Sequence, residues 1–282
     1  MSFYFNSSSG NYNIQDSGNK FNGRSIRCVF VSTAMQDFTS TTCANLEVAK
    51  TITLTDIRDM KTYNIAKLDD NICRMTSNLR LGSDSQIKLT IDDTDLTSTS
   101  VYDSGRDGWY TPVVQVGGAE SWSNPVDAKH IFQRASPENS ADNITYGNLY
   151  NWYTATAGTG LSSMTTNGQE ASSSICPKGW KLPPNSGTGS YVDLVTAAGI
   201  GSNSAGSTKI RSMPYSFADA GGYYTDPGRN GLNYQGNSGI YWSRTAIDVG
   251  TYVFNFYSGY VATQVSGGQK FFGYSIRCYY AG

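Results

Sequence analysis

The 282-residue chain has a single histidine, only eight prolines, and charged residues at 15% with a net charge of −1. It also has no apolar stretch near the ~18 residues that a membrane-spanning helix requires. Each shortage excludes something. The one histidine, His130 in PVDAKHIFQ, has no nucleophile motif around it, so no Ser-His-Asp or Cys-His relay is expected and the chain is read as a non-enzyme. No basic stripe stands out, so nucleic acid is not an expected partner. The opening MSFYFNSSSG has neither a basic n-region nor an apolar h-region, so no signal peptide is expected there. None of the cysteines lies in a C-x-x-C pair, which leaves zinc and thioredoxin chemistry without support.

Low charge does not imply disorder here, because 38% of the residues are hydrophobic. The surface must instead be built from Ser, Thr, Asn, Gly and Tyr. Twenty tyrosines and thirty glycines suit an all-β or loop-rich extracellular protein. The five cysteines, Cys28, Cys43, Cys73, Cys176 and Cys278, are widely spaced, which favours disulfides in an oxidising compartment over buried free thiols. An odd count leaves at least one unpaired or bonded between chains. A chain of this length can bury a full core.

The two ends repeat each other. Ser25-Ile26-Arg27-Cys28 matches Ser275-Ile276-Arg277-Cys278, and Gly23, Phe21, Lys20 and Gly18 match Gly273, Phe271, Lys270 and Gly268. With one gap, Gly10 falls on Gly259 and Phe3–Phe5 near Phe254–Phe256. With a period as long as a domain, residues 1–32 are expected to correspond to the last two strands of a preceding repeat. Residues 33–50 have the small polar character of a linker. TITLTDIRDMKTYNIAKL alternates with period two around a charged turn at Arg58–Lys61, which predicts a hairpin carrying Ile52, Leu54, Tyr63 and Ile65.

Residues 82–141 form a long polar run read as short strands and loops. Tyr146, Leu149, Tyr150 and Tyr153 fall on one helical face, predicting a helix near 143–157 capped by Asn143 or Thr145 and ended by Gly158. Ser190 and Asp193 make a capping-box pattern for a second helix, buried through Val192, Leu194, Val195 and Ala198 and stopped by Gly199. In the strand-rich C-terminal part, Phe254 and Phe256 are expected to point inward, with Val253, Asn255 and Tyr257 outward.

The strings TITLTDIRDMKTYNIAKLDDNICRMTSNLRL, YGNLYNW, ICPKGWKLP, GGYY, GIYWSRT and GYSIRC occur here in order. In that order they resemble the Fibrobacter succinogenes major paralogous domain, over about residues 43–282. The resemblance implies an α+β domain of C-type lectin-like fold, with two helices, short antiparallel sheets, a long loop region, and first and last strands that meet. It implies disulfides Cys43–Cys73 and Cys176–Cys278, with Cys28 unpaired or intermolecular. Two departures stand out. Arg74 occupies the place where the family usually has Trp, which is expected to alter one surface. Asp59-Met60 replaces Asp-Gly in the first turn; without Gly a primed turn is costly, so a longer turn is expected.

Calcium has a weak sequence case. Asp92, Asp93 and Asp95 cluster without the spacing of a calcium loop, so structural calcium is possible but no cofactor is required. Neither Ser136–Asn139 (SPEN) nor YWSRT matches the sugar-binding motifs of calcium lectins. Asn6-Ser7-Ser8 and Asn143-Ile144-Thr145 are glycosylation acceptor patterns. The candidate ligand-binding face lies on the last strands, at Arg244, Val253, Asn255, Tyr257, Tyr260, Lys270 and Tyr274. Tyr supplies contact area at low entropic cost, and Asn, Ser and Gly supply adaptable hydrogen bonds. Covering a small core is the competing role for these residues. The expectation is an extracellular or cell-surface adhesin unit in a tandem or polymeric array, binding a glycan or a host-cell protein. The alternatives are a fibre subunit self-associating through residues 1–32 and a calcium-dependent lectin.

Overall fold

The computed structural model describes residues 4–6, 11–13, 34–81, 131–132, 141–157, 159–160, 164, 166–224, 231–248, 250–270 and 272–282. Cys28, Asp92, Asp93, Asp95, His130, Ser136–Asn139 and Gly158 lie outside them. The chain divides into two units, Met1–Ser32 and Thr33–Gly282. In the first, β1 (Tyr4–Asn6) and β2 (Asn11–Asn13) pair antiparallel, with Phe5 opposite Tyr12.

The second unit is mixed α+β with antiparallel sheets. In chain order it carries α1 (Ser40–Asn45), β3 (Thr51–Asp56), β4 (Lys61–Lys67), β5 (Cys73–Met75), β6 (Ile131–Phe132), α2 (Ala141–Tyr146) and β7 (Leu149–Tyr150). There follow α3 (Trp152–Ala155), β8 (Trp180–Lys181), α4 (Tyr191–Ala197), α5 (Ser204–Arg211), β9 (Gly222–Tyr224) and β10 (Gly231–Asn233). The chain then runs through β11 (Ser238–Ile247), β12 (Gly250–Tyr257) and β13 (Tyr260–Gln269) to β14 (Tyr279–Tyr280).

The alternation in TITLTD…KTYNIAK builds the β3–β4 hairpin, with Leu54 opposite Tyr63 and Ile52 opposite Ile65. Its turn is four residues long, 57–60, and Met60 takes the left-handed conformation at φ 60°. Arg58 folds back onto Asp56 at 2.6 Å with neither side chain exposed, and its Nη1 donates to the Ile175 carbonyl. Burial would raise the Asp56 carboxyl, but the Arg58 charge and its hydrogen bonds override that and hold it below the usual range.

One sheet has the order β3-β4-β5-β14-β8, so the final strand sits inside it, between β5 and β8. The other main sheet is β11-β12-β13. The terminal segment joins the two. The carbonyls of Cys278 and Ile276 accept from Met75 and Leu79, while Ser275 exchanges backbone bonds with Ile240 and Trp242. Two disulfides, Cys43–Cys73 and Cys176–Cys278, tie the same frame; they are the pairs implied by the resemblance. The β12–β13 hairpin contains Phe254–Phe256, Gly259 and Gly268 of the stretch that matches the N-terminal repeat, and β1–β2 is likewise an antiparallel pair.

The three-stranded sheet separates two apolar clusters. One contains Trp152, Trp180, Trp242 and Ile276; the other contains Tyr191, Leu194, Ile210, Phe217, Phe254 and Phe256. Because β12 side chains alternate, Phe254 and Phe256 enter the second cluster and Val253 enters the first. Val253 is therefore buried rather than outward-facing, since both faces of this part of β12 are covered.

Three further expectations are corrected. The helix near 143–157 is broken into α2, β7 and α3. The segment between them bonds to distant backbone: Asn148 N–H to Leu79, and Tyr150 reciprocally with Tyr274. Gly147 takes φ 68°, and a Cβ there would lie 2.6 Å from that of Asn78, so the chain turns where a helix would have continued. Residues 34–50 are not a free linker: Met35 and Phe38 are buried in the first cluster, and α1 carries Cys43. Arg74 does not alter a surface. It is buried, paired to Asp70 at 2.5 Å, and donates to the carbonyls of Gly189 and Ser190.

The second predicted helix forms as α4. The Ser190 side chain accepts from the Asp193 N–H, Leu194 and Ala198 are buried, and Gly199 ends it at φ 60°. With α5 the helices outnumber the two expected.

Candidate functional site

The structure separates the seven residues of the predicted ligand-binding face, of which Val253 is in the core. Tyr274 is buried with its ring 4.5 Å from that of Trp242, so it is core and not surface. Lys270 is also interior: its Nζ donates to the Met164 carbonyl at 2.7 Å and lies 5.2 Å from the centre of the Trp152 ring. Both belong to the stretch that returns the chain between the sheets, which exposed strand positions do not do. Arg244 is half-buried and pairs with Glu170 at 2.7 Å. Asn255 is half-buried on β12. At the β12–β13 tip, Tyr257 and Tyr260 stack at 4.8 Å, with Tyr257 45% exposed. Of these, Asn255, Tyr257 and Tyr260 share a locality, on the face of the β12–β13 hairpin opposite Phe254 and Phe256.

Burial lowers Lys270 to about 8. Between that value and the ordinary lysine range, the unfolded chain holds a proton that the folded chain has released. Unfolding then takes up protons, so raising the pH through this window favours the folded state. Urea midpoints at pH 7.5 and pH 9.5 are expected to show this rise in the native chain and a smaller one, or none, in Lys270→Met. Both pH values stay below the ordinary tyrosine range, above which the buried Tyr150 and Tyr191, whose phenols burial raises well above normal, would act in the opposite sense.

On the other side of the same hairpin tip is an open hollow of about 320 Å³. Its wall is α5, which exists because Asn203 caps it through the Gly206 N–H and because Ile210 anchors it in the second cluster. Ser204, Ser207 and Arg211 line it from the helix, Asp219 and Asn237 from the loops, and Ser258 from the hairpin tip. The tip is fastened to the helix: Ser207 Oγ donates to the Tyr257 carbonyl at 2.6 Å. Arg211 lies 4.7 Å from the centre of the Phe256 ring and presents its edge to Asp219, Nε to both carboxylate oxygens and Nη2 to Oδ1 at 2.7 Å. Both partners keep about a quarter of their side-chain surface, 26% and 21%.

Comparison of this chain with protein-family profiles, with curated proteins and with solved structures returned no match. The site is therefore characterised by its own chemistry. The hollow holds one cation and one anion, already paired, among neutral hydroxyl and amide groups. It can exchange hydrogen bonds with a ligand. Among the described residues no group of three His, Cys, Asp or Glu side chains could hold a metal ion.

Sequence reasoning found the hairpin tip but missed the helix side. SAGSTKIR has one strong apolar residue, Ile210, so no helical stripe announces it. Asn203 was the available signal, as an N-cap three residues before Gly206.

Proposed function

We propose that this chain is a non-enzymatic ligand-binding module of an extracellular or cell-surface protein, an adhesin unit of C-type lectin-like fold. The observation that carries this reading is the open polar hollow at the β12–β13 tip. Its volume is that of a small-ligand site. Two disulfides suit an oxidising compartment. Among the described residues no helix is long and apolar enough to cross a membrane.

The test is adherence of the full chain to arrayed oligosaccharides and to host-cell surface proteins. Thr208 lines the hollow from the exposed side of α5. Thr208→Tyr is expected to weaken binding about tenfold or more by filling the mouth, with an unchanged urea midpoint. If Tyr257→Ala with Tyr260→Ala abolishes binding and Thr208→Tyr does not, the aromatic face is the site instead. If neither changes it, this end of the molecule is not used.

A fibre-forming role is favoured by one observation, a separate N-terminal unit with its own strand pair, since strand edges can be extended by another chain. Under that reading, deleting residues 1–32 removes polymers and leaves ligand binding intact, and non-reducing gels show whether Cys28 joins chains.

A further inference from the structure

We infer that the hollow binds an uncharged, polyhydroxylated ligand, a neutral glycan, and that it does so through the Arg211–Asp219 pair without a bridging cation. This deepens the ligand-binding reading and rests on it.

The argument is an inventory of what the pair has left to offer. A guanidinium carries five N–H donors. In Arg211, Nε–H points at the Asp219 carboxylate, Nη1 donates to the carbonyl and the hydroxyl of Ser207, and Nη2 donates once, to Asp219 Oδ1. One Nη2 hydrogen remains. Asp219 Oδ2 receives only the shared Nε–H, at 2.9 Å, so it keeps accepting capacity. One unspent donor and one unspent acceptor therefore remain on the planar ion pair, the donor at its Nη2 end and the acceptor at Oδ2. Hydroxyls match this, because each can donate or accept, and a ligand carrying several can satisfy both ends of the pair. Ser204, Asn237 and Ser258 around the hollow add neutral groups of the same two-sided kind.

Charge narrows the ligand further. The lining has one positive and one negative group, so its net charge is zero. A carboxylate, sulfate or phosphate approaching Arg211 would meet Asp219 within the same ion pair and find most of the guanidinium already committed. An ammonium approaching Asp219 would meet Arg211. Neutral ligands pay neither penalty. A divalent cation is poorly served too. Calcium takes about six to eight oxygen ligands, several of them carboxylates, whereas the hollow offers one carboxylate, and that one is neutralised by Arg211.

The pair is also held in place for recognition. The Phe256 ring supports the guanidinium from below, and the bonds to Ser207 fix it against the helix. Little side-chain entropy remains to be lost on binding. Hydrogen bonds to charged groups contribute more than neutral ones, which makes this pair the part of the hollow where truncation should be felt most.

The experiment uses the full, oxidised chain on an array of neutral hexose-terminated oligosaccharides and of sialylated, sulfated and uronate-containing ones, with and without a chelator of divalent cations. The native chain is expected to bind a subset of the neutral sugars and to be indifferent to chelation. Asp219→Asn is expected to weaken that binding by about tenfold or more, in line with losing a charge-assisted hydrogen bond. The same variant frees Arg211 and is expected to bind anionic sugars that the native chain rejects, a gain that mere loosening of the fold would not produce. Thr208→Tyr, which leaves the pair intact, serves as a second block should Asp219→Asn fold poorly. Preference of the native chain for anionic sugars, loss of binding on chelation, or neutral-sugar binding unchanged in both variants would each overturn the inference. So would an array with no sugar bound. In that case adherence to a protein ligand, if sensitive to Thr208→Tyr, would leave the broader ligand-binding reading standing.

Discussion

Replacing Cys176 and Cys278 together by serine is expected to lower the unfolding free energy by about 4.7 kcal/mol, and replacing Cys43 and Cys73 by less, about 3.6 kcal/mol. The difference comes from the loops the bonds close in the unfolded chain, which separate the paired cysteines by 102 and 30 residues. Longer loops lose more chain entropy when closed, and removing the cross-link returns that entropy to the unfolded state. The larger loss approaches the whole stability of many domains of this size, roughly 5–15 kcal/mol. Loss of order at modest temperature is therefore the expected phenotype of the first double variant. The site matters as well as the loop. Cys278 lies on the terminal segment that bonds to both main sheets, so freeing it loosens their junction. Urea unfolding, followed by fluorescence of the buried Trp152, Trp180 and Trp242, measures both variants. Equal costs for the two bonds, or a larger cost for Cys43–Cys73, would show that loop closure is not the governing term.

Phe254→Ala is expected to cost about 3–5 kcal/mol, the range for truncating a fully buried phenylalanine. Its ring is surrounded: Tyr191 stacks at 4.7 Å, Phe217 meets it edge-on at 5.2 Å, and Phe256 lies at 5.6 Å. These neighbours come from α4, from the loop after α5 and from β12 itself, so no single element can move in to fill the space. Part of the loss is transfer of the ring to water, and the rest is the cavity that stays behind. Phe254→Leu is expected to recover much of it. Tyr257→Ala, three residues along the same strand, is expected to change stability by less than about 0.5 kcal/mol because its ring faces solvent. A small effect at Phe254, or comparable effects at the two positions, would mean that the aromatic cluster does not hold α4 to the sheet.

How far these features could be read beforehand follows from the range of the forces behind them. The β3–β4 hairpin was legible because its burial has period two, and the need for a longer turn followed from having Met60 where glycine would serve. The α4 helix was legible from Ser190, Asp193 and Gly199, whose roles are settled within one turn of chain. The pattern at Tyr146, Leu149, Tyr150 and Tyr153 misled because its period was genuine but its backbone was claimed elsewhere, by Leu79 and Tyr274. Lys270 and Tyr274 misled in the opposite sense. Both are polar or amphipathic residues near exposed strands, yet they line the path of the chain through the interior. Arg74 is a buried charge made tolerable by Asp70 and by two carbonyls more than a hundred residues away.

The candidate site divides the same way. Its hairpin tip, with Tyr257 and Tyr260, was apparent from composition. Its charged pair was not, since Arg211 and Asp219 are ordinary surface residues until α5 docks and Phe256 orients the guanidinium.

By itself, the amino-acid order determined the local elements that capping, turn chemistry and alternation control, and the α+β class that they add up to. Only the tertiary structure decided which backbone groups would pair across the chain, which charges would be buried, and that a helix with a single apolar anchor would close one wall of a polar hollow. Those outcomes depend on contacts between residues far apart in sequence, and such contacts leave no periodic trace within a local window.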